Sequence, residues 1–83
     1  MITHSSWKPF VFDFLIGDWV RDGAEFKFSV SSSVHHRGPG LSATVYLNNG
    51  SKLEAVVCDE VIEEDLTFVI RASRPFQGRL VLA

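Results

Sequence analysis

The sequence predicts an all-β domain: a small antiparallel β-barrel or strongly curved sheet of five to six strands, with room for a short helical turn near the N-terminus. Three observations predict it. Apolar and polar residues alternate with a period of two through Gly17–Val30 and again through Leu41–Leu47, the spacing of a half-buried strand. Two turn signals, Asp22-Gly23 and Asn48-Asn49-Gly50, divide these runs into candidate hairpins. The apolar mass is concentrated: Phe10–Arg21 alone holds three of the seven Phe and one of the two Trp residues.

A chain of 83 residues is expected to form a single domain, 1–83. A domain of that size buries about 60–65% of the surface its unfolded chain exposes. Its net stability is then on the order of 3–5 kcal/mol. One cysteine, Cys58, excludes an internal disulfide. A composition 46% hydrophobic and 12% aromatic is rich for a short chain without a staple, so self-association as a homodimer is expected. A net charge of −2 argues against nucleic acid as the partner, because phosphate binding needs a clustered positive surface. No apolar run approaches the roughly 20 residues of a membrane span. Met1–Ser6 lacks the basic-then-apolar pattern of a signal peptide, and with the lone cysteine this points to a cytoplasmic protein.

Along the chain, Met1–Lys8 is polar apart from Ile2 and Trp7, and Trp7 is a candidate to fold against the core. Pro9 can open a helical turn capped by Ser6. Phe10–Ile16 fits two periods: Phe10, Phe14 and Leu15 suit a helical turn, while Phe10, Phe12, Phe14 and Ile16 suit a strand. With Asp22-Gly23 at the centre of a two-residue turn, Trp19 faces Phe26, Asp18 faces Lys27 and Gly17 faces Phe28. One face then carries Trp19, Phe26, Phe28 and, one pair further, Leu15 with Val30, and the other pairs Asp18 with Lys27, with Glu25 nearby. Ser31–Ser33 frays or weakly extends this strand, and Val34–Gly40 is a loop because Gly-Pro-Gly does not fit a central strand. Leu41–Leu47 alternates, with Leu41, Ala43, Val45 and Leu47 on one side. A three-residue loop Asn48–Gly50 then sets Val45 opposite Leu53, cleaner than a two-residue loop setting Val45 opposite Glu54. Lys52–Cys58 turns apolar on both sides at Val56-Val57, the pattern of a central strand. Asp59–Asp65 holds five of the ten acids and reads as a turn or one helical turn. Leu66–Ala72 is a strand with Leu66, Phe68 and Ile70 inward. Ser73-Arg74-Pro75 breaks it, and Arg79–Ala83 is a final strand. A chain that stops in a strand implies a truncation, or a last strand paired with something else, such as another copy.

Phe14-Leu15-Ile16-Gly17-Asp18-Trp19 resembles the opening of the calycin superfamily, which includes the lipocalins, where a Phe/Leu-rich turn leads into Gly-x-Trp at the first strand. The resemblance covers about ten residues around this motif. It implies a barrel that is shortened, incomplete or completed by a partner, in which Gly17 lets the chain pass close to a neighbour and Trp19 plugs the closed end. It also implies a small apolar molecule bound in the barrel mouth.

Candidate chemistry is sparse. His35-His36 with Arg37 is the most reactive-looking cluster, but adjacent side chains on an extended segment point apart, and no ligand pair has zinc spacing, so a solvated loop is expected and no metal or cofactor. Cys58 beside Asp59 is expected to be a structural thiol rather than a nucleophile. Arg71, Arg74 and Arg79 are expected to pair with the acids of 59–65. No Ser/His/Asp order, phosphate loop or opposed carboxylate pair stands out, and no enzymatic activity is expected. The leading expectation is a non-catalytic binding module whose aromatic interior, Trp19, Phe26, Phe28 and Phe68, forms a solid core or lines a pocket for a small apolar ligand. The alternative is a small interaction or inhibitor protein of phage, plasmid or immunity type, which binds a protein partner through an edge strand or through Glu63, Glu64 and Asp65.

Overall fold

A computed structural model describes residues 9–36, 38 and 40–83. Trp7, the Ser6 cap, Arg37 and Pro39 lie outside the described residues. The chain is all-β, with eight strands in two antiparallel four-stranded sheets among those residues. The first sheet has the order β1 (Phe10–Phe14), β8 (Gly78–Leu82), β4 (Ala43–Asn48), β5 (Leu53–Val56). The second has the order β2 (Val20–Asp22), β3 (Glu25–Val30), β7 (Phe68–Ala72), β6 (Asp59–Ile62). Both sheets keep free edges among the described residues, so the barrel stays open, and one core lies between the sheets. Among the described residues, no helix is long and apolar enough to cross a membrane.

The ambiguous aromatic run resolves as a strand. Phe10, Phe12 and Phe14 face Leu82, Leu80 and Gly78 of β8 and point inward, while Val11 and Asp13 point out. The expected helical turn at Pro9 is absent. It comes one element later, as a 3-10 turn at Ile16–Asp18, where the Asp18 carboxylate accepts the Leu15 N–H at 2.7 Å. Asp18 therefore does not pair with Lys27. That lysine lies opposite Val20 and reaches Asp22 at 3.7 Å. The hairpin turns at Gly23-Ala24 rather than Asp22-Gly23, with Asp22 opposite Glu25 and Arg21 opposite Phe26. Gly23 has φ +66° and Ala24 is not left-handed, the pattern of a turn with glycine first. The slip is two residues, so the face assignment survives: Phe26, Phe28 and Val30 point in, and Lys27 and Ser29 point out. Gly17 does not make the expected close approach, since a Cβ there would meet nothing within 4 Å.

Ser31–Ser33 leaves the strand for a single helical turn, α1 (Ser32–His35), closed by His36 with φ +53°. In the next hairpin neither expected register holds, because the loop has four residues. Asn49 Oδ1 accepts the N–H groups of Ser51 and Lys52, and Asn48 Oδ1 accepts that of Gly50. Val45 thereby faces Val56 and Tyr46 faces Ala55. The strand expected to be central, β5, is an edge, and Val57 beyond it is fully exposed, at 100%. The acidic stretch read as a turn begins as strand β6, paired with β7, and turns only after Ile62. The last strand does not wait for a second copy. β8 lies between β1 and β4, and Ala83 exchanges both backbone hydrogen bonds with Ser42.

The core joins Phe14, Val45, Leu80 and Leu82 of one sheet to Phe28, Val30, Phe68 and Ile70 of the other, with Trp19 at one end. Phe14 and Phe28 rings lie 4.9 Å apart across the sandwich, and Trp19 meets Phe28 edge-on at 4.8 Å. Such edge and tilted contacts add to area burial, which for one large apolar side chain is worth about 1.5–3 kcal/mol.

Candidate functional site

Trp19, Phe28 and Phe68 are buried and Phe26 is half-buried, so these four build the packed interior rather than the wall of a cavity. Trp19 Nε1 donates to the Phe76 carbonyl at 2.8 Å, which ties the β7–β8 connection to the core. Arg21 covers the exposed side of Phe26, 5.7 Å from the ring centre. Of the two forms the aromatic interior could take, the geometry has the solid one.

A recess lies beside this core. The chain crosses between sheets at Val57-Cys58 and again at 73–77, and the two crossings leave a half-open cleft of about 360 Å³. The half-buried Leu47, Val56, Ala72 and Phe76 form its floor, and the exposed Asp59 and Arg74 stand at its rim. Phe76 joins floor to core, with its ring 5.2 Å from Trp19 and 5.4 Å from Phe14. Sequence reasoning missed this cleft because its walls come from four separated segments. The one local signal was the inward alternation of Leu47.

Of the charged residues that line the cleft, Arg71 alone is in an ion pair among the described residues. Arg71 donates to Asp22 at 2.7 Å, not to the acids of 59–65, and this hydrogen bond, with Lys27 and the Arg71 charge adding to it, holds the Asp22 carboxyl below its usual range. Asp59 lies opposite Arg71 without an ion pair. Arg79 likewise pairs with Asp13 at 2.7 Å on the far sheet, so the expected pairing of Arg71, Arg74 and Arg79 with the acidic segment is not formed. Arg74 makes no ion pair with the described residues. Cys58, half-buried at the cleft, has its thiol pushed up by burial first and then by Glu60 and Asp59. It remains protonated at neutral pH, in keeping with a structural role.

The histidine pair separates. His36 is exposed, whereas His35 is 1% exposed, with Nε2 2.7 Å from the Leu66 carbonyl. The expectation of a solvated loop fails for His35 because α1 folds its ring inward toward the β6–β7 turn. Among the described residues, no group of three or more His, Cys, Asp or Glu side chains comes together as a metal site.

Glu63, Glu64 and Asp65 are brought together, all exposed, in the tight turn that follows β6. Asp65 Oδ1 accepts the Thr67 N–H at 3.0 Å, which lowers its pKa, and Leu66 closes the turn with φ +68°. Compared with family models, with curated proteins and with solved structures, the chain matches none.

Proposed function

We propose that the protein is a non-catalytic binding module that seats a small, largely apolar ligand in the cleft between the Val57-Cys58 crossing and the β7–β8 connection. The observation that carries this reading is the cleft's floor, in which Leu47, Val56, Ala72 and Phe76 face open space beside the aromatic core. Its volume of about 360 Å³ falls at the small end of ligand pockets, which run from about 300 to 1,000 Å³. A single ring system or a short acyl chain fits a cleft of that size. Two of the candidate reactive side chains fit a non-catalytic role: His35 is buried and does not line the cleft, and the Cys58 thiol is held protonated.

Native mass spectrometry of the protein purified from its own source reads any retained small molecule, and titration with the apolar dye Nile red reads the empty cleft. Ser73 is exposed at the wall, so Ser73→Trp fills the cleft from outside the core. The expected result is one dye per wild-type chain and at least about tenfold weaker binding by a folded Ser73→Trp variant. Equal binding by the two proteins, or none by the wild type, overturns the reading.

A further inference from the structure

Strand β6 is an edge, and its backbone shows which groups are left open. Glu63 N–H donates to the Thr67 carbonyl at 2.9 Å, which makes 63 and 67 a hydrogen-bonded pair. In an antiparallel ladder, hydrogen-bonded and non-hydrogen-bonded pairs alternate. Following the register outward, Val61 with Val69 and Asp59 with Arg71 are hydrogen-bonded pairs, while Ile62 with Phe68 and Glu60 with Ile70 are not. The N–H and C=O groups of Glu60 and Ile62 therefore point away from β7, toward the open edge. No described residue bonds them, and all four residues of β6 are exposed. Two donor–acceptor pairs spaced i, i+2 are what an added strand engages.

The side chains say which strand fits. Reading 59–63, the edge presents acid, acid, aliphatic, aliphatic, acid: Asp59, Glu60, Val61, Ile62, Glu63. Glu64 and Asp65 extend the negative end, and fully exposed Val57 extends the apolar surface before the strand. A second copy of β6 is a poor occupant. Antiparallel self-pairing that matches the open backbone groups sets Glu60 opposite Glu60, Asp59 opposite Glu63, or Glu60 opposite Glu64, depending on register. Each opposes two carboxylates, and like charges directly opposite destabilise a pair. Glu60, though solvent-accessible, also lies on the inward side of the sheet, opposite Ile70, where partial desolvation raises its pKa. An inward charge on an edge strand deters pairing with any strand that brings no opposite charge.

We propose that β6 is a strand-addition site for an extended basic segment of a partner protein, which pairs antiparallel in the pattern basic-aliphatic-aliphatic-basic-basic. In that pairing the two consecutive basic residues face Glu60 and Asp59, the aliphatic residues cover Ile62 and Val61, and the first basic residue meets Glu63. The site shares Asp59 with the rim of the apolar cleft but does not depend on a ligand there.

The test uses the full chain and a fluorescent peptide carrying Lys-Val-Val-Lys-Arg, read by anisotropy. Controls are the same peptide N-methylated at the two residues that face Glu60 and Ile62, and a peptide with Glu in place of each Lys and Arg. The expected result is saturable binding to the wild type, at least about tenfold weaker binding of both controls, and about tenfold weaker binding to Glu60→Gln/Glu63→Gln. Ile62→Pro removes an N–H that β7 does not use, so it is expected to abolish binding and leave the fold intact. If that variant fails to fold, the N-methylated peptide still decides. Equal binding of the methylated and plain peptides means charge attraction without strand pairing and overturns the proposal. So does a wild-type dimer in native mass spectrometry that Ile62→Pro converts to monomer, since the edge is then filled by a second copy.

Discussion

The His35 imidazole donates through Nε2 to the carbonyl of Leu66 at 2.7 Å, and Leu66 itself sits in the left-handed backbone region at φ +68°. A leucine there costs roughly 1–2 kcal/mol, and a hydrogen bond from a buried ring holds its carbonyl in place. The single turn α1 and the β6–β7 turn are thus joined through one side chain. His35→Leu keeps most of the volume and loses the donor, so it leaves the carbonyl unsatisfied. The expected loss is about 1–3 kcal/mol in urea unfolding, a large part of the total for a domain this small. A loss under about 0.5 kcal/mol would show that water replaces the imidazole without penalty.

Gly78 is where backbone approach is tight. It faces Phe14 on one side and Leu47 on the other, and a Cβ on it would run into the Tyr46 carbonyl oxygen and crowd the Phe14 ring. The obstacle on the β4 side is backbone, so it cannot rotate away. Gly78→Ala is expected to cost about 3 kcal/mol or more, the upper end for overpacking. Circular dichroism should find it largely unfolded at 37 °C, whereas Gly17→Ala, with nothing within 4 Å, should stay within about 0.5 kcal/mol of wild type.

Those two glycines show how far the sequence could be read. The motif drew attention to Gly17, because Gly-x-Trp is a local pattern. Gly78 has no local signature, since its constraint comes from Tyr46 and Phe14, far away in the chain. The same split runs through the fold. The inward face of β3 was legible because a period of two survives a two-residue register slip, and the inward set of β4 was legible from its own alternation, whereas β1 fitted a helical turn as well as a strand. The turns were not legible, because Gly23-Ala24 and the loop Asn49–Lys52 are chosen by side-chain hydrogen bonds and φ signs that composition only suggests. Strand β6 was hidden by its charges. Its pairing with Phe68–Arg71 satisfies the backbone of one acidic segment, a tertiary gain that outweighs local propensity. The cleft was illegible because no stretch of sequence contains it.

The first hairpin carries its own test. Gly23 holds φ +66° at the first turn position, where any side chain is strained. Gly23→Ala is expected to cost about 1–2 kcal/mol although the site is open to solvent, and Gly23→Asn less, since asparagine tolerates that region. Equal costs for the two in urea unfolding would place the strain elsewhere in the turn.

Acid stability follows from four carboxyls with opposite signs. Asp22, bonded to Arg71, Asp13, bonded to Arg79, and Asp65, bonded to the Thr67 N–H, all have folded pKa values below the ordinary 3.8. Each adds stability that is present above 3.8 and is lost as pH falls through the lowered folded value. Glu60 is raised above 4.5 by burial, so its charge opposes folding at neutral pH, and that opposition fades as pH falls through the raised value toward 4.5. Stepped-pH urea unfolding is expected to show a small gain on acidification toward 4.5, then a loss below 3.8. Glu60→Gln should remove the gain and leave the loss. Asp22→Asn should make the loss shallower and leave the gain, with a modest amplitude because the ion pair is solvent-exposed. If Asp22→Asn leaves the acid limb unchanged, the Arg71 pair does not form in solution.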